Sequence, residues 1–235
     1  MTRLLLVDDT TVITDLLAAR LETEMDASVD VFGSVEDYLG AIGPAEGWDL
    51  AIVDLSFSQS TLNGADVLLD LHQHHPRTRL VLHTQGDEYV RDLLRDVWEA
   101  LPLDCVLGKS MPTVEFLRAI RLVLRDGSAP IDPVVRPLLP DQRSPWRRLE
   151  AYGRLVQHAG HAKLWRVLIR AEAEPSYRDL ALATGLSVNT VRNYRDQLLG
   201  ELRLHGLDNP TMRGMQLFAK RCRPFLQPAI AARLG

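Results

Sequence analysis

Cysteine is almost missing from this chain: Cys105 and Cys222 are the only two in 235 residues. Two thiols so far apart make no disulfide framework, and a reducing compartment suits them. No apolar run approaches the length that crosses a bilayer. The opening Met1-Thr2-Arg3-Leu4-Leu5-Leu6-Val7-Asp8-Asp9 meets acid too soon for a secretory signal. These absences predict a cytoplasmic protein. Gly-x-Gly and Walker phosphate loops are lacking, and so is any Ser–His–Asp cue, which argues against a nucleotide, flavin or serine-hydrolase enzyme. Lysine is scarce too: Lys109 is the only one among residues 1–126, where the other nine basic residues are Arg.

What is present divides by charge. Residues 1–126 carry 10 Lys/Arg against 22 Asp/Glu, a balance of −12, and residues 127–235 carry 17 against 9, or +8. An acidic half followed by a basic half suggests that the second meets a polyanion and the first does not. Five of the thirteen prolines (Pro130, Pro133, Pro137, Pro140, Pro145) fall where the sign changes. That density reads as a semi-stiff linker over 127–145, with a short helical turn near 134–139, between domains at 1–126 and 146–235.

The first half alternates strand and helix. Leu4-Leu5-Leu6-Val7 is an apolar strand closed by Asp8-Asp9, and the helix from Thr11 presents Val12, Ile13, Leu16, Leu17 and Leu21 as its inward stripe. Residues 28–32 alternate like an edge strand. Ser34 and Asp37 start a helix over 35–42 that Gly43-Pro44 ends. The run Leu50-Ala51-Ile52-Val53 leads into Asp54, as a strand buried on both faces does. Helices over 64–75, 87–101 and 112–125 then alternate with strands at 79–84 and 105–107. Five such units imply a doubly wound, five-stranded parallel sheet, an α/β fold of the flavodoxin-like kind. The second half reads as all helix, over 146–158, 161–173, 176–184, 187–204 and 210–223, with a weak tail after Pro228.

In such a sheet the strand ends converge on one rim. They deliver Asp8 and Asp9, Asp54, Thr84 and Lys109 together. Three crowded carboxylates repel unless a cation sits among them, and oxygen ligands in that number suit Mg²⁺. The Thr hydroxyl and the Lys ammonium can hold an added anionic oxygen. Through Leu-Val-Asp8-Asp9, Ile-Val-Asp54-Leu, Leu-His-Thr84 and Leu-Gly-Lys109, residues 1–125 resemble the receiver domain of two-component response regulators. The resemblance implies that Asp54 accepts a phosphoryl group from the phosphohistidine of a sensor histidine kinase. It further implies that Asp8, Asp9, Asp54 and the Ser56 backbone carbonyl hold Mg²⁺, and that Thr84 and Lys109 contact the phosphoryl group. Where the family usually places an aromatic residue, three before the lysine, this chain has Val106. Ser110 stands where Pro is common.

In the basic half, Ser176 and Asp179 make a capping-box pattern, Leu180 and Ala183 an expected buried face, Gly185 a tight turn, and Ser187 a second cap. Two helices so joined, over about 176–204, form a helix-turn-helix, whose second helix enters the major groove of double-stranded DNA. Leu-Ser187-Val-Asn-Thr190-Val191-Arg-Asn-Tyr194 resembles the LuxR/NarL-type DNA-binding domain. Val191, Leu198 and Leu202 are expected inside. Asn189, Thr190, Arg192, Asn193, Tyr194 and Arg195 are candidate DNA contacts, with Arg178 and Arg203 on phosphates. The helix over 210–223, carrying Met212, Met215, Leu217 and Phe218, matches the family's dimer helix and implies a homodimer. The reading is a phosphorylation-switched transcription regulator with no enzymatic activity beyond Mg-dependent self-phosphorylation and dephosphorylation. Its alternatives are a phosphorylation-independent regulator and a protein-interaction adaptor.

Overall fold

The computed structural model describes residues 1–41, 47–57, 60, 62–87, 90–143, 148–208 and 210–235. Gly43-Pro44, Pro145, the start of the helix expected from Trp146, and parts of the loops after Asp54 and Asp87 lie outside the described residues. The chain divides into two units, Met1–Asp141 and Gln142–Gly235.

In the first unit, β1 (Thr2–Val7), β2 (Ala27–Phe32), β3 (Leu50–Asp54), β4 (Arg79–Thr84) and β5 (Cys105–Gly108) form one sheet in the order β2-β1-β3-β4-β5. Every pairing is parallel, with Leu6 opposite Ile52, Asp54 opposite His83, and Thr84 opposite Gly108. All five residues of β3 are buried, as the unbroken apolar run requires. Helices α1 (Thr11–Met25), α2 (Val35–Ala41), α3 (Gly64–His74), α4 (Arg91–Ala100) and α5 (Thr113–Asp126) are the crossovers. One core joins Leu4, Leu6, Leu50, Ile52, Val81 and Leu107 of the strands to Leu17 and Leu21 of α1 and Phe116 and Ile120 of α5.

The α1 stripe differs from expectation. Thr14, Leu17 and Leu21 face inward, whereas Val12 (82 % exposed), Ile13 and Leu16 (64 % exposed) point outward. With Val12, Ile13 and Leu16 on one stripe and Leu17 and Leu21 on the next, sequence periodicity alone does not choose the face; seating on the sheet does. Helix α3 starts on a full capping box that spacing had not singled out. The Asn63 side chain accepts from Ala65 N–H, and Asp66 accepts from Asn63 N–H, worth about 1 kcal/mol. The proline-bearing stretch up to Asp141 belongs to the first unit rather than spanning between units. Its preset φ suits an extended path along a sheet edge, and its short turn is a 3-10 helix at Arg136–Leu138.

The second unit is all-helical: α6 (Leu149–Tyr152) running into a 3-10 turn (Gly153–Leu155), α7 (Ala159–Arg170), α8 (Tyr177–Thr184), α9 (Val188–Leu204), α10 (Met212–Arg221) and α11 (Arg223–Leu234). The helix expected over 146–158 is shorter and breaks at Gly153. The weak tail is a real helix: Phe225, Leu226 and Ile230 of α11 are buried, and that burial holds it together despite the donor missing at Pro228. Val191, Leu198 and Leu202 are fully buried as expected. On α8, Leu180, Ala181 and Thr184 are the buried positions, and Ala183 is exposed.

Candidate functional site

The site of the first unit is built by strand ends. Asp8 follows β1, Asp54 ends β3, Thr84 ends β4 and Lys109 follows β5. Asp8, Asp9 and Asp54 bring carboxylate oxygens within 4.8 Å of one another. Lys109 closes the group from the far side. Its Nζ lies 2.8 Å from Asp8 Oδ2 and 3.0 Å from Asp54 Oδ2, with all three side chains nearly buried. The other Asp54 oxygen accepts from Leu55 N–H at 2.7 Å, and Asp8 Oδ1 accepts from Thr10 N–H at 2.9 Å. Thr84 is buried; its hydroxyl accepts from Gly86 N–H at 3.3 Å, and its carbonyl accepts from Lys109 N–H at 2.8 Å. Ser56 is exposed on the loop that leaves β3.

Burial pushes Asp54 up to about 6, and the Asp8 carboxylate adds to this, against the pull of Lys109. Burial would lower Lys109, but the Asp54 and Asp8 carboxylates outweigh it and hold the ammonium above its ordinary value. His83, beside Asp54 in the sheet and 5.2 Å from the Phe116 ring, is held down to about 4 by burial and then by Lys109. The rim is thus two positive charges short of neutral when all are ionised: three carboxylates face a single ammonium. That donor set of carboxylate oxygens fits a hard divalent cation.

Gly64 is a site residue that sequence reasoning passed over. It opens α3 beneath the end of β3, where its N–H donates to Leu55 C=O at 3.2 Å. A Cβ there would collide with the Asp54 backbone carbonyl. A glycine opening a helix just after a functional loop is the signal that could have found it.

In the second unit both caps form as expected. Asp179 N–H donates to Ser176 Oγ at 3.2 Å, Ser176 N–H to Asp179 Oδ2 at 2.8 Å, and Thr190 N–H to Ser187 Oγ at 3.0 Å. Gly185 takes the left-handed conformation (φ 70°) that ends α8, and Leu186 N–H returns to Ala181 C=O at 3.0 Å.

Asn189, Arg192 and Asn193 are exposed on the first turns of α9. Thr190 shares a hydroxyl–hydroxyl bond of 2.8 Å with Ser187 and belongs to the cap. Tyr194 turns to α7 instead, its ring 4.8 Å from His158 and 4.9 Å from His161, over Gly160, where a Cβ would strike it. Arg195 donates to Tyr177 Oη at 2.8 Å, and the Arg192 guanidinium lies 5.3 Å over the same ring. Tyr177, the first residue of α8, therefore holds two α9 arginines; spacing between separate helices gives no hint of it. Arg178 is exposed, and Arg203, at the far end of α9, donates weakly to Asp208 C=O at 3.4 Å.

No family model matches the chain. No curated protein sequence matches it either. Solved structures do. A receiver domain from Methanospirillum hungatei, described as CheY-like, is 22 % identical over 54 % of this chain and 95 % of its own, with a TM-score of 0.46. The response regulator TrrA from Thermotoga maritima, in complex with Mg²⁺ and BeF, is 24 % identical over 52 % and 97 %, with a TM-score of 0.42. RcsB, in a structure of two dimers bound to two parallel DNAs, is 14 % identical over 92 % of this chain and 96 % of its own, with a TM-score of 0.51. The strand order 2-1-3-4-5 is that of the flavodoxin-like doubly wound sheet. By fold, the chain is a five-stranded receiver-type α/β unit followed by an all-helical helix-turn-helix unit, as in RcsB.

Proposed function

We propose that this chain is a DNA-binding response regulator whose Asp54 accepts a phosphoryl group from the phosphohistidine of a sensor kinase. The observation that carries the reading is Lys109 lodged between Asp8 and Asp54 at the rim where three carboxylates meet. A buried lysine spanning two carboxylates marks where negative charge is to be handled, and it is the only lysine of its half.

Asp8, Asp9 and Asp54, with the Ser56 carbonyl, would hold Mg²⁺. When bound, the ion supplies positive charge to the transferring phosphoryl oxygens and orients the group for in-line attack. An Asp54 carboxylate oxygen forms the bond to phosphorus as the phosphorus–nitrogen bond to the kinase histidine breaks, and the electron pair leaves with the imidazole. Asp54 must be ionised to act as the nucleophile, and Lys109 beside it favours the charged form. Lys109 releases Asp8 and pairs with a phosphoryl oxygen, and the Thr84 hydroxyl donates to another. The acid test is direct: Asp54→Asn removes labelling by acetyl phosphate, and retained labelling would overturn the assignment.

The second unit supplies the output. Its 16 Lys/Arg against 7 Asp/Glu and its two capped helices fit a major groove, with Asn189, Arg192 and Asn193 toward base edges and Arg178, Arg195 and Arg203 toward phosphates. Tyr194 serves here as a wedge that sets the angle of α9. Two copies pair on a two-fold site through α10, where Leu217 is 58 % exposed while Met215 and Phe218 fill the unit's own core. A cytoplasmic setting goes with this role; among the described residues no helix is long and apolar enough to cross a membrane. A mobility-shift series at rising salt separates this reading from a protein-interaction adaptor. For the regulator the logarithm of DNA affinity falls linearly with log salt, while an adaptor binds none.

A further inference from the structure

Strand β5 is last in the sheet, so one edge has no strand beside it. Such an edge presents a row of unpaired amides and carbonyls. Here the chain covers its own edge. After the left-handed turn at Gly127, residues 129–132 run beside β5 in the same direction. Ala129 N–H donates to Asp104 C=O at 3.3 Å, and Asp132 N–H to Val106 C=O at 3.0 Å. The Asp132 side chain, 4 % exposed, takes the next place along the edge. Its Oδ2 accepts from Gly108 N–H at 2.9 Å and its Oδ1 from Val134 N–H at 2.8 Å. The following 3-10 turn seats fully buried Val135 against two glycines. A Cβ at Gly108 would lie 3.3 Å from Val135 Cγ2, and one at Gly86 would lie 3.4 Å from it.

Those two glycines are the neighbours of the site. Gly108 precedes Lys109, and Gly86 donates its N–H to the Thr84 hydroxyl. Val106, in the position where an aromatic residue is usual in receivers, carries no ring that could swing between two sites. Its carbonyl is instead an acceptor for Asp132.

We infer that residues 129–139 are a strap that reads the state of Asp54 through Gly86 and Gly108, and that phosphorylation loosens it. The inference rests on the phosphoacceptor reading of Asp54. A phosphoryl oxygen offers the Thr84 hydroxyl a charge-assisted hydrogen bond, about twice as strong as a neutral one, and draws Lys109 away from Asp8. Both shifts pull on backbone that Asp132 bonds at Gly108 and that Val135 packs beside. Close-packed contacts of this kind switch between arrangements instead of stretching. The released strap leaves the β5 edge open and frees the chain that leads into residue 142.

Hydrogen exchange of the full chain, with Mg²⁺ and with or without beryllium fluoride, tests this. Binding of the fluoride is read as slower exchange in peptides around Asp9, Asp54 and Lys109. In the same samples the Gly108 and Asp132 amides exchange roughly tenfold faster. Asp132→Ala should show the fast exchange already without fluoride and no further rise with it. If the site is protected while residues 129–139 exchange unchanged or more slowly, the strap is overturned and the phosphoacceptor reading stands. If fluoride leaves the site itself unprotected, the Asp54 reading is overturned, and the strap falls with it. The wild-type comparison holds whether or not the variant folds.

Discussion

Lys109 and Asp54 form an ion pair of 3.0 Å, almost entirely shut off from solvent, and the same ammonium reaches Asp8 at 2.8 Å. This places a protein cation where the carboxylates most need one. Removing it exposes the electrostatic problem the site was built around, because a buried charge without its partner costs far more than the pair contributes. Lys109→Ala therefore destabilises the first unit by about 3–5 kcal/mol in metal-free buffer. Millimolar Mg²⁺ restores much of that loss, and stabilises the variant more than the wild type. Urea midpoints with and without Mg²⁺ decide it; no Mg²⁺ response in either protein would show that the acidic cluster does not take up the ion.

Gly64→Ala tests how closely α3 is set under the site. The added methyl meets the Asp54 carbonyl, part of the backbone of a central strand, so neither side yields easily. The expected cost is about 2–4 kcal/mol, at the high end for a single methyl, with loss of acetyl-phosphate labelling in whatever fraction folds. Wild-type stability and labelling together would mean that the helix start shifts freely.

Arg192 of α9 and Tyr177 of α8 act as a pair. Arg192→Ala should weaken binding to a selected DNA site by about 1–3 kcal/mol, well beyond its effect on random DNA. Tyr177→Phe keeps the ring under Arg192 but loses the Arg195 bond, whereas Tyr177→Ala loses both. The expected order of specific affinity is wild type, Tyr177→Phe, Tyr177→Ala. Equal affinities across the three would show that Tyr177 does not position the arginines.

His161 makes the second unit sensitive to acid. It is fully buried with its ring 3.9 Å from that of His158. Burial, helped by His158, pushes its imidazole down to about 4 from 6.5. Between those values the unfolded chain binds a proton that the folded chain refuses. Stability from this group is therefore complete above pH 6.5 and is lost as pH falls toward 4. The total is on the order of 3 kcal/mol. Urea unfolding of the second unit at pH 7.5 and pH 5 should show this loss, and a His161→Leu variant should show a much smaller one. An undiminished pH gap in the variant would assign the acid sensitivity elsewhere.

The sequence by itself determined the rim. Leu4–Val7 and Leu50–Val53 are apolar without interruption, so both must be strands covered on two faces, and the acids that end them must stand together at one end of a parallel sheet. The helix-turn-helix was equally legible, because Ser176, Asp179, Gly185 and Ser187 act on backbone a few residues away, within reach of local spacing. Only the tertiary structure decided what depends on the packing of distant segments. The seat of α1 on the sheet turned Val12 and Leu16 outward. Asp132 reached Gly108 across 24 residues, and Tyr177 came under Arg192 and Arg195 from another helix. Local patterns record what neighbours in the chain require of one another. A strap laid on a sheet edge, or a ring beneath a guanidinium, is settled only when separate elements compete for the same space.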